Sequence, residues 1–366
     1  MAFDRLDEDA FVQRIVAALE RGAARPTAPE PAVFAMIVGA GFSHGVVPLA
    51  TQLMHETIGD YYIPDSDMSS MSGDPARLRK CSARFWAEYN AAAQRANLPT
   101  VALGRDGLPT DAGAAYCELF AYRVANELFA AARSAAPTGS KFMRGLARAR
   151  LAAMPAPAES LRPGGRFVCD FLRHALATER LNPAHRALAT LMVAQQRGDR
   201  PELRPFCRTV LTTNFDSLLR RALEEASAAA RVSDEPERGF ETDSLERSDG
   251  SFHVVHVHGS VQRGNPASSK EELAGIEARN ARALAGYLAT REVIVVGHSG
   301  WNDAVVAALG QADGPRRLYW CDLSDEPNPR VARLLANRRA PSSYVQLGPR
   351  GADGWMERLV GALRLS

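Results

Sequence analysis

A glycine-rich segment follows the first apolar run of the sequence and has the residues of a phosphate-binding loop. Its residues are Gly39, Ala40, Gly41, Phe42 and Ser43, and the apolar run before it extends from Val33 to Val38. Glycine lets the backbone approach a pyrophosphate closely, and the start of a following helix offers N–H donors to it. The same residues also fit a plain turn between a strand and a helix, so this segment alone leaves both interpretations open.

The spacing of the glycines departs from the fingerprint of dehydrogenases. Gly45 falls one residue beyond the position of the third glycine in the G-x-G-x-x-G pattern. No acidic residue ends an evident second strand about 20 residues later, where such enzymes bind the ribose of the nucleotide. Both observations argue against a hydride-transferring enzyme.

A second polar segment, from Thr212 to Asp216, follows another short apolar run. Asn214 and Asp216 are two residues apart on a loop that leaves a predicted strand, so both side chains can point into one crevice. The alternative is that one of them accepts a backbone N–H bond at the start of the next helix. The sequence leaves these two roles open.

Three histidines lie within six residues in a third segment, Phe252 to Ser260. His256 and His258 share one face of a strand, and His253 lies on the other. A metal site would need a third and a fourth ligand, which the sequence does not supply, so no metal is predicted. His258 stands at the end of the strand, where an imidazole can act as a general base near neutral pH. We interpret His253 and His256 as structural.

The fourth polar segment runs from Gly297 to Asp303. Gly297 and Ser299 could line another part of the same nucleotide. The alternative is a turn, with Asp303 in the first turn of a helix, where the helix dipole favours a negative charge. We assign no role to His298 at this stage.

The elements around these segments repeat one order: strand, polar loop, helix. Strands are predicted at Val33–Val38, Arg208–Leu211, Glu292–Val296 and Arg317–Asp322, each followed by a loop or helical segment. This order is typical of an open parallel sheet, in which ligands bind at the carboxyl ends of the strands. The predicted fold is therefore α/β, a doubly wound, Rossmann-like and mostly parallel sheet.

The interval between the first two strands differs from the rest, and it suggests four segments in the chain. Residues 1–31 form an N-terminal helix and a proline-containing linker, and residues 32–64 the first part of the Rossmann-like domain. Residues 65–204 form a large helical insertion, with helices at 78–97, 113–135, 166–181 and 184–198. Residues 205–366 form the remainder of the domain, with a mobile surface loop at 234–250.

Composition excludes several classes of protein. The chain has 366 residues, 46% of them hydrophobic, and 44 basic residues against 42 acidic ones. This balance gives no strong signal for direct nucleic-acid binding. No apolar run is long enough for a membrane span, and the N-terminus is acidic rather than signal-like. The five scattered cysteines contain no C-x-x-C pair, which suits a reducing cytoplasm.

Taken together and in this order, the four segments resemble those of the sirtuin-like NAD-binding family. The segment from Gly39 to Pro48 is similar to that family's G-A-G-x-S loop with its later glycine and proline, and Thr213 to Asp216 is similar to its T-N-x-D element. His258-Gly259 resembles the family's His-Gly pair, and Gly297 with Ser299 its G-x-S loop. The resemblance extends over about residues 33–363, although the insertion carries no recognisable motif.

The resemblance implies roles for the candidate residues. The loop from Gly39 to Ser43 would hold the pyrophosphate and the adenosine side of NAD. Asn214 would orient the nicotinamide ribose and a water, Asp216 would contact the carboxamide, and His258 would be the catalytic base. A further set would contact the ribose and phosphate on the adenine side: Gly297, Ser299 and Asp322.

Two departures favour one branch of that family. Its protein-deacylating members carry a four-cysteine zinc ribbon and a Pro-Asp-Phe-Arg continuation of the first loop, whereas here Pro48 precedes Leu49-Ala50-Thr51. The chain instead resembles the sirtuin-like effectors of prokaryotic antiphage defence, which hydrolyse NAD. This resemblance implies an NAD glycohydrolase that takes NAD as a substrate and has no permanently bound cofactor.

The same resemblance implies how such an activity would be restrained. We expect a homo-oligomer or a separate sensor partner, such as an ATPase or an Argonaute-like protein, in a prokaryotic cytoplasm. Two alternatives remain open. One is a zinc-free deacylase or ADP-ribosyltransferase, and the other is a non-catalytic module that binds NAD or ADP-ribose.

Overall fold

A computed structural model describes the following parts of the chain: residues 3–20, 32–49, 53–54, 75–95, 100–111, 115–117, 119, 176, 178–197, 200, 202–228, 230–245, 251–264, 266–267, 270–301, 303–311 and 316–365. The predicted linker at 21–31 lies outside the described residues. So do most of the predicted helices at 113–135 and 166–181, and Cys169.

The described chain forms an eight-stranded sheet in which every neighbouring pair is parallel. The strands are β1 (Asp4–Asp7), β2 (Phe34–Val38), β3 (Thr209–Thr212), β4 (Ala230–Ser233), β5 (Phe252–His256), β6 (Glu292–Val296), β7 (Leu318–Asp322) and β8 (Ser342–Gln346). Their order across the sheet is β1-β8-β7-β6-β2-β3-β5-β4. The α/β, Rossmann-like fold predicted from the sequence is therefore confirmed.

Helices connect most of these strands. Those described are α1 (Glu8–Glu20), α2 (Pro75–Arg95), α3 (Pro183–Arg197), α4 (Leu218–Glu225), α5 (Thr242–Leu245), α6 (Lys270–Ala289), α7 (Ala304–Gln311), α8 (Pro329–Asn337) and α9 (Gly351–Ala362). The predicted opening helix corresponds to α1. Helices α2 and α3 correspond to the helices predicted at 78–97 and 184–198.

Strand β2 shows that both faces of the sheet are covered. Phe34, Met36 and Val38 belong to a core cluster that also contains residues of α1, α3 and α9. Ala35 and Ile37 point to the opposite face, because side chains alternate along a strand, and they too have 0% exposure. A strand buried on both faces reads as a continuous apolar run, which is how β2 is visible in the sequence.

Contacts divide the chain into two compact units. The first comprises Met1–Val47, Leu176–Asn265 and Leu273–Ser366, and it contains the whole sheet. The second comprises Pro48–Ala175 and Pro266–Glu272. Within the second unit, the aromatic rings of Phe85, Trp86 and Tyr89 pack against one another on α2.

The segment at 234–250 was predicted as a mobile surface loop, and its described part corrects that prediction. It contains a 3₁₀ helix, Pro236–Arg238, and the short helix α5. The side chain of Leu245 is fully buried, and its carbonyl accepts a hydrogen bond from the Thr209 hydroxyl at 2.8 Å. A single buried leucine in a charged segment gives no periodic signal, which is why the pattern indicated a loop.

Within the described residues, no helix combines the length and the apolar character needed to cross a membrane.

Candidate active site

The register of the sheet brings four strand ends to one level. Val38 of β2 pairs with Val296 of β6 on one side and with Thr212 of β3 on the other. Thr212 in turn pairs with His256 of β5. The chain leaves β2 for β3 on one side, and β6 leads to β7 on the other, so the junction of β2 and β6 is a topological switch point. Three of the four predicted polar segments begin at this edge of the sheet, and the third, Phe252 to Ser260, reaches it at the end of β5.

The glycines of the first and fourth segments are required because two loops pack backbone against backbone. A Cβ on Gly39 would lie 2.5 Å from the Gly297 carbonyl oxygen, and one on Gly41 would lie 2.9 Å from the Gly297 Cα. A Cβ on Gly297 would lie 2.3 Å from the Phe42 nitrogen, and Gly297 has a φ of +69°. No side chain fits at these positions.

In this packing, two backbone N–H groups of the glycine-rich segment donate hydrogen bonds to the neighbouring loop. The Gly39 N–H donates to the Val296 carbonyl at 3.0 Å, and the Gly41 N–H donates to the Gly297 carbonyl at 2.9 Å. The segment continues as a short 3₁₀ helix, Ala40–Ser43. The N–H groups of Gly39 and Gly41 are therefore bonded to the neighbouring loop.

The hydroxyl of Ser43 is the centre of a buried group that we call the serine cluster: Ser43, His185 and Asn214. The Asn214 side-chain amide donates to the Ser43 Oγ at 3.1 Å, and the same oxygen lies 3.1 Å from His185 Nε2. Ser43 and His185 are fully buried, and Asn214 is 9% exposed. The structure therefore brings the first and second predicted segments together through side chains.

Asp216 accepts a backbone hydrogen bond at the start of the next helix, which is one of the two roles that the sequence left open. Its Oδ1 accepts a hydrogen bond from the Leu218 N–H at 3.0 Å, at the start of α4. Burial raises the pKa of this carboxyl, although its hydrogen bonds with Leu218 and Ser43 and the charge of His256 act in the opposite direction. Asp216 thus serves the helix start and also contacts the serine cluster.

His256 orients the neighbouring loop. Its Nδ1 lies 2.9 Å from the Asn214 carbonyl oxygen. Since a carbonyl only accepts hydrogen bonds, the proton must be on Nδ1. Burial lowers the pKa of His256, which keeps the ring neutral. This bond supports the interpretation of His256 as a structural residue.

His185 is a site residue that the sequence reasoning did not identify. It lies in the first turn of α3, where Asn182 accepts a hydrogen bond from the His185 N–H at 3.0 Å. The Asn182 side chain also donates to the Phe42 carbonyl at 2.7 Å, which ties α3 to the glycine-rich segment. The pair Asn182-Pro183 is a helix-start signal that marks α3, but nothing in its sequence indicates a contact with Ser43.

A second buried group, which we call the carboxylate cluster, contains His258, His298 and Asp303. His298 Nε2 lies 2.9 Å from Asp303 Oδ2, and His258 Nε2 lies 3.4 Å from the same oxygen. The side chains are 11% exposed for His258, 5% for His298 and 4% for Asp303. The structure therefore brings the third and fourth predicted segments together, and it adds His298, to which the sequence gave no role.

The charges of this cluster shift its pKa values. Burial lowers the pKa of His258, partly opposed by the charge of Asp303. Burial alone would raise the pKa of Asp303, but its electrostatic interaction and hydrogen bond with His298 and its electrostatic interaction with His258 bring the pKa below its ordinary value. The arrangement is a neutral imidazole beside a carboxylate, which is the form required of a general base.

Two predicted residues lie at the same edge of the sheet but bond within their own surroundings. Ser299 is exposed, and its carbonyl accepts a hydrogen bond from the Asn328 side chain at 3.0 Å. Asp322 ends β7, and its Oδ1 accepts from the Leu323 N–H at 2.7 Å. Neither bond tests a role in nucleotide binding.

Three buried polar atoms in the two clusters have no hydrogen-bond partner among the residues that the structure describes: Asn214 Oδ1, His185 Nδ1 and His258 Nε2. Leaving a buried polar group unsatisfied is costly, so Asn214 Oδ1 and His185 Nδ1 mark a place at the sheet edge where a polar ligand can bind, whereas His258 Nε2 faces Asp303 Oδ2. Within the described part of the chain, no group of three or more His, Cys, Asp or Glu residues is arranged to hold a metal ion.

Comparison with known families adds one finding. Residues 208–341 match the SIR2-like domain. The match covers less than half of the chain and includes Asn214, Asp216, His258 and Gly297, but it does not include Ser43 or His185. No curated protein matches the chain.

The match supports the sirtuin-like resemblance and an NAD-related activity. The glycine-rich segment and α3 fall outside the matched residues, but in the structure both contact the matched region. Strand β2 pairs with β3 and β6, and Ser43 bonds to Asn214.

Proposed function

We propose that this protein is an NAD glycohydrolase, which cleaves NAD to nicotinamide and ADP-ribose. The observation that carries the proposal is a pair of buried polar atoms, Asn214 Oδ1 and His185 Nδ1, which have no hydrogen-bond partner among the described residues and lie at the sheet edge that also carries the His258 imidazole. The SIR2-like match over Asn214 and His258 supports NAD as the molecule that binds there.

The chemistry follows from the two clusters. The bond between the nicotinamide nitrogen and C1′ of the ribose breaks, and its electron pair leaves with nicotinamide as a neutral base. The sugar becomes oxocarbenium-like, water adds to C1′, and one water proton must be removed. His258, a neutral buried imidazole, is the proton acceptor. The products are nicotinamide, ADP-ribose and one proton.

Asn214 orients the reactants in this scheme. Its amide nitrogen is fixed by the Ser43 hydroxyl, which leaves its side-chain oxygen to accept a hydrogen bond from a ribose hydroxyl or the attacking water. Holding reactants in one geometry accelerates a reaction without any covalent step. Asp216 and the glycine-rich segment complete the proposed NAD site, with Gly297, Ser299 and Asp322 on the adenine side.

We further propose that the activity serves antiphage defence by depleting cellular NAD. Such an activity requires restraint, through a homo-oligomer or a separate sensor such as an ATPase or an Argonaute-like protein. This part rests on the resemblance of the sequence to defence effectors.

Product analysis tests the proposal. Purified protein is incubated with NAD, and nicotinamide and ADP-ribose are quantified for wild type, His258→Ala and Asn214→Ala. We expect each substitution to reduce turnover by about 10²–10⁴-fold, the range of a lost acid–base or positioning group. His44→Ala is the matched control, because His44 is an exposed histidine next to Ser43 in the chain.

Other outcomes identify the alternatives. O-acyl-ADP-ribose or modified protein as the main product would indicate a deacylase or an ADP-ribosyltransferase. NAD binding without any product would indicate a binding module. Cellular NAD is also measured while the protein is expressed, because an activity that needs a cellular partner would be absent from the purified protein. Loss of cellular NAD that persists in His258→Ala cells would contradict the site assignment.

A further inference from the structure

The side chain of Asp303 does more than a helix start requires. Its Oδ1 accepts hydrogen bonds from the Val305 N–H at 3.0 Å and the Val306 N–H at 2.9 Å, which caps α7. A cap needs one oxygen, and a neutral Asn or Ser would serve equally well. The helix start uses Oδ1, and its dipole favours the negative charge, but the capping role leaves Oδ2 unexplained.

His298 holds the second oxygen of Asp303 in place. The Gly300 N–H donates to His298 Nδ1 at 2.9 Å, so Nδ1 is an acceptor and the proton of the neutral ring is on Nε2. That Nε2–H donates to Asp303 Oδ2 at 2.9 Å. The ring also packs edge-on against Trp320, with centroids 5.7 Å apart. Both the tautomer and the position of His298 are therefore fixed by its surroundings.

His258 faces the same oxygen. Its Nε2 lies 3.4 Å from Asp303 Oδ2 and makes no hydrogen bond to any described residue. The titratable groups that act on His258 are Asp303, which raises its pKa, and His298, which lowers it. A carboxylate on this side favours the tautomer with the proton on Nε2, and that leaves the lone pair on Nδ1.

We propose that Asp303, held by His298, positions His258 as the general base of the proposed NAD hydrolysis. The inference rests on that function for the reaction itself. A proton moves from water to Nδ1 of His258 while Nε2–H turns toward Asp303 Oδ2. Asp303 stays ionised throughout and stabilises the imidazolium that forms. Asp303 and His298 are thus positioning residues, and His258 is the catalytic residue.

Asp303→Asn is the sharpest test, because an amide oxygen can keep the α7 cap while the charge is lost. The ¹⁵N NMR signals of His258 in the full-length protein, assigned with His258→Gln, report its tautomer and its pKa. In wild type we expect the proton mainly on Nε2. In Asp303→Asn we expect this preference to disappear and the pKa of His258 to fall. We expect kcat to fall about 10–100-fold, the effect of losing a histidine-orienting partner, with KM changed less than about threefold.

Two further variants separate positioning from general damage. His298→Asn offers an oxygen to the Gly300 N–H but lacks the donor to Asp303, so we expect a smaller loss of kcat in the same direction. Asp243→Asn, at an exposed acid in the first turn of α5, is the matched control and should leave kcat and the His258 signals unchanged. Circular dichroism and the urea midpoint check that each variant is folded.

The NMR readout distinguishes failure of this inference from failure of the proposed function. An unchanged tautomer and pKa of His258 in both Asp303→Asn and His298→Asn would overturn the positioning role, whatever the turnover. A shift in both signals, in a protein that does not hydrolyse NAD, would support the positioning role and contradict the glycohydrolase. If Asp303→Asn does not fold, the His258 signals in His298→Asn alone test the positioning role, because this variant leaves the Asp303 cap of α7 intact.

Discussion

The serine cluster and the carboxylate cluster lie at the same edge of one sheet, yet their interactions differ. The serine cluster is joined through one hydroxyl, which contacts an amide and an imidazole. The carboxylate cluster is joined through one carboxylate oxygen, which faces two imidazoles. A hydroxyl can fix the orientation of its neighbours, whereas a carboxylate can also stabilise a positive charge. In the proposed reaction, the first cluster therefore orients the substrate and the second transfers the proton.

The loops before the two clusters depend on each other, and the largest predicted effect comes from breaking that dependence. Gly297→Ala places a Cβ 2.3 Å from the Phe42 nitrogen at a φ of +69°. Backbone strain and overpacking each cost about 1–3 kcal/mol, so we expect the free energy of unfolding to fall by several kcal/mol. Urea denaturation measures this loss, and NAD turnover should fall with it.

Gly275→Ala is the matched control for that substitution. Gly275 lies in α6, and a Cβ there would meet nothing within 4 Å. Because alanine favours a helix, this change should stabilise the protein by up to about 1 kcal/mol. A Gly297→Ala protein as stable as Gly275→Ala would show that the two loops can separate without cost, and the clusters would then be independent.

Low pH lowers the stability of the serine cluster by a different mechanism, the protonation of a buried histidine. Burial lowers the pKa of His185 from 6.5 to about 4. Between these two values the unfolded state binds a proton that the folded state does not, so stability falls as the pH falls from about 6.5 toward 4. The full effect is roughly 3 kcal/mol, and below pH 4 His185 is protonated in both states.

His185→Gln should reduce the slope of unfolding free energy against pH in that window. His44→Gln, which removes an exposed histidine, is the control and should keep the wild-type slope. His256 and His258 also have pKa values lowered by burial, so part of the slope remains in His185→Gln. An undiminished slope would mean that His185 is not buried as a neutral ring in the serine cluster.

The sequence predicted the fold well because the strands carry their own signal. The runs of β2 and β6 are apolar and stop at glycine, so both their type and their ends are visible. β1, β4 and β8 were missed. β1 and β4 lie at the two edges of the sheet and are charged or half-exposed, and β8 is buried but polar in sequence, Ser-Ser-Tyr-Val-Gln. An edge strand lacks the continuous apolar run that marks a buried one.

The candidate site was only partly predictable, for a similar reason. Asn214 and His258 stand directly after predicted strands, where ligands bind in parallel sheets. His185 stands in a helix start far away in the chain, and His298 is useful only through its contact with Asp303. Such contacts depend on how helices and loops pack over the sheet, which no local pattern records.

A double-mutant cycle measures whether the serine cluster acts as a unit. Ser43→Ala leaves the Asn214 amide and His185 Nε2 without their shared oxygen, and each unsatisfied buried group costs about 1–3 kcal/mol. Ser43→Ala and Asn214→Ala should therefore couple by roughly 0.5–3 kcal/mol in unfolding free energy.

Ser43→Ala combined with Asp303→Asn is the comparison between clusters. Since these two residues share no described hydrogen-bond partner, their effects should add to within about 0.5 kcal/mol. Equal coupling energies in the Ser43–Asn214 and Ser43–Asp303 cycles would show that the two clusters do not act as separate units.

Asp322 tests whether the site extends along the same edge beyond both clusters, and its predicted effect on stability is the smallest. Its Oδ1 accepts the Leu323 N–H, a bond that Asp322→Asn can keep, so unfolding should change by less than about 0.5 kcal/mol. A carboxylate that binds a ribose hydroxyl contributes a charge-assisted hydrogen bond, whose loss would raise KM for NAD about tenfold with kcat unchanged. Asp325→Asn, an exposed acid three residues further on, is the control. An unchanged KM would confine the substrate contacts to the strands from β6 to β5, because Asp322 is the candidate residue on β7.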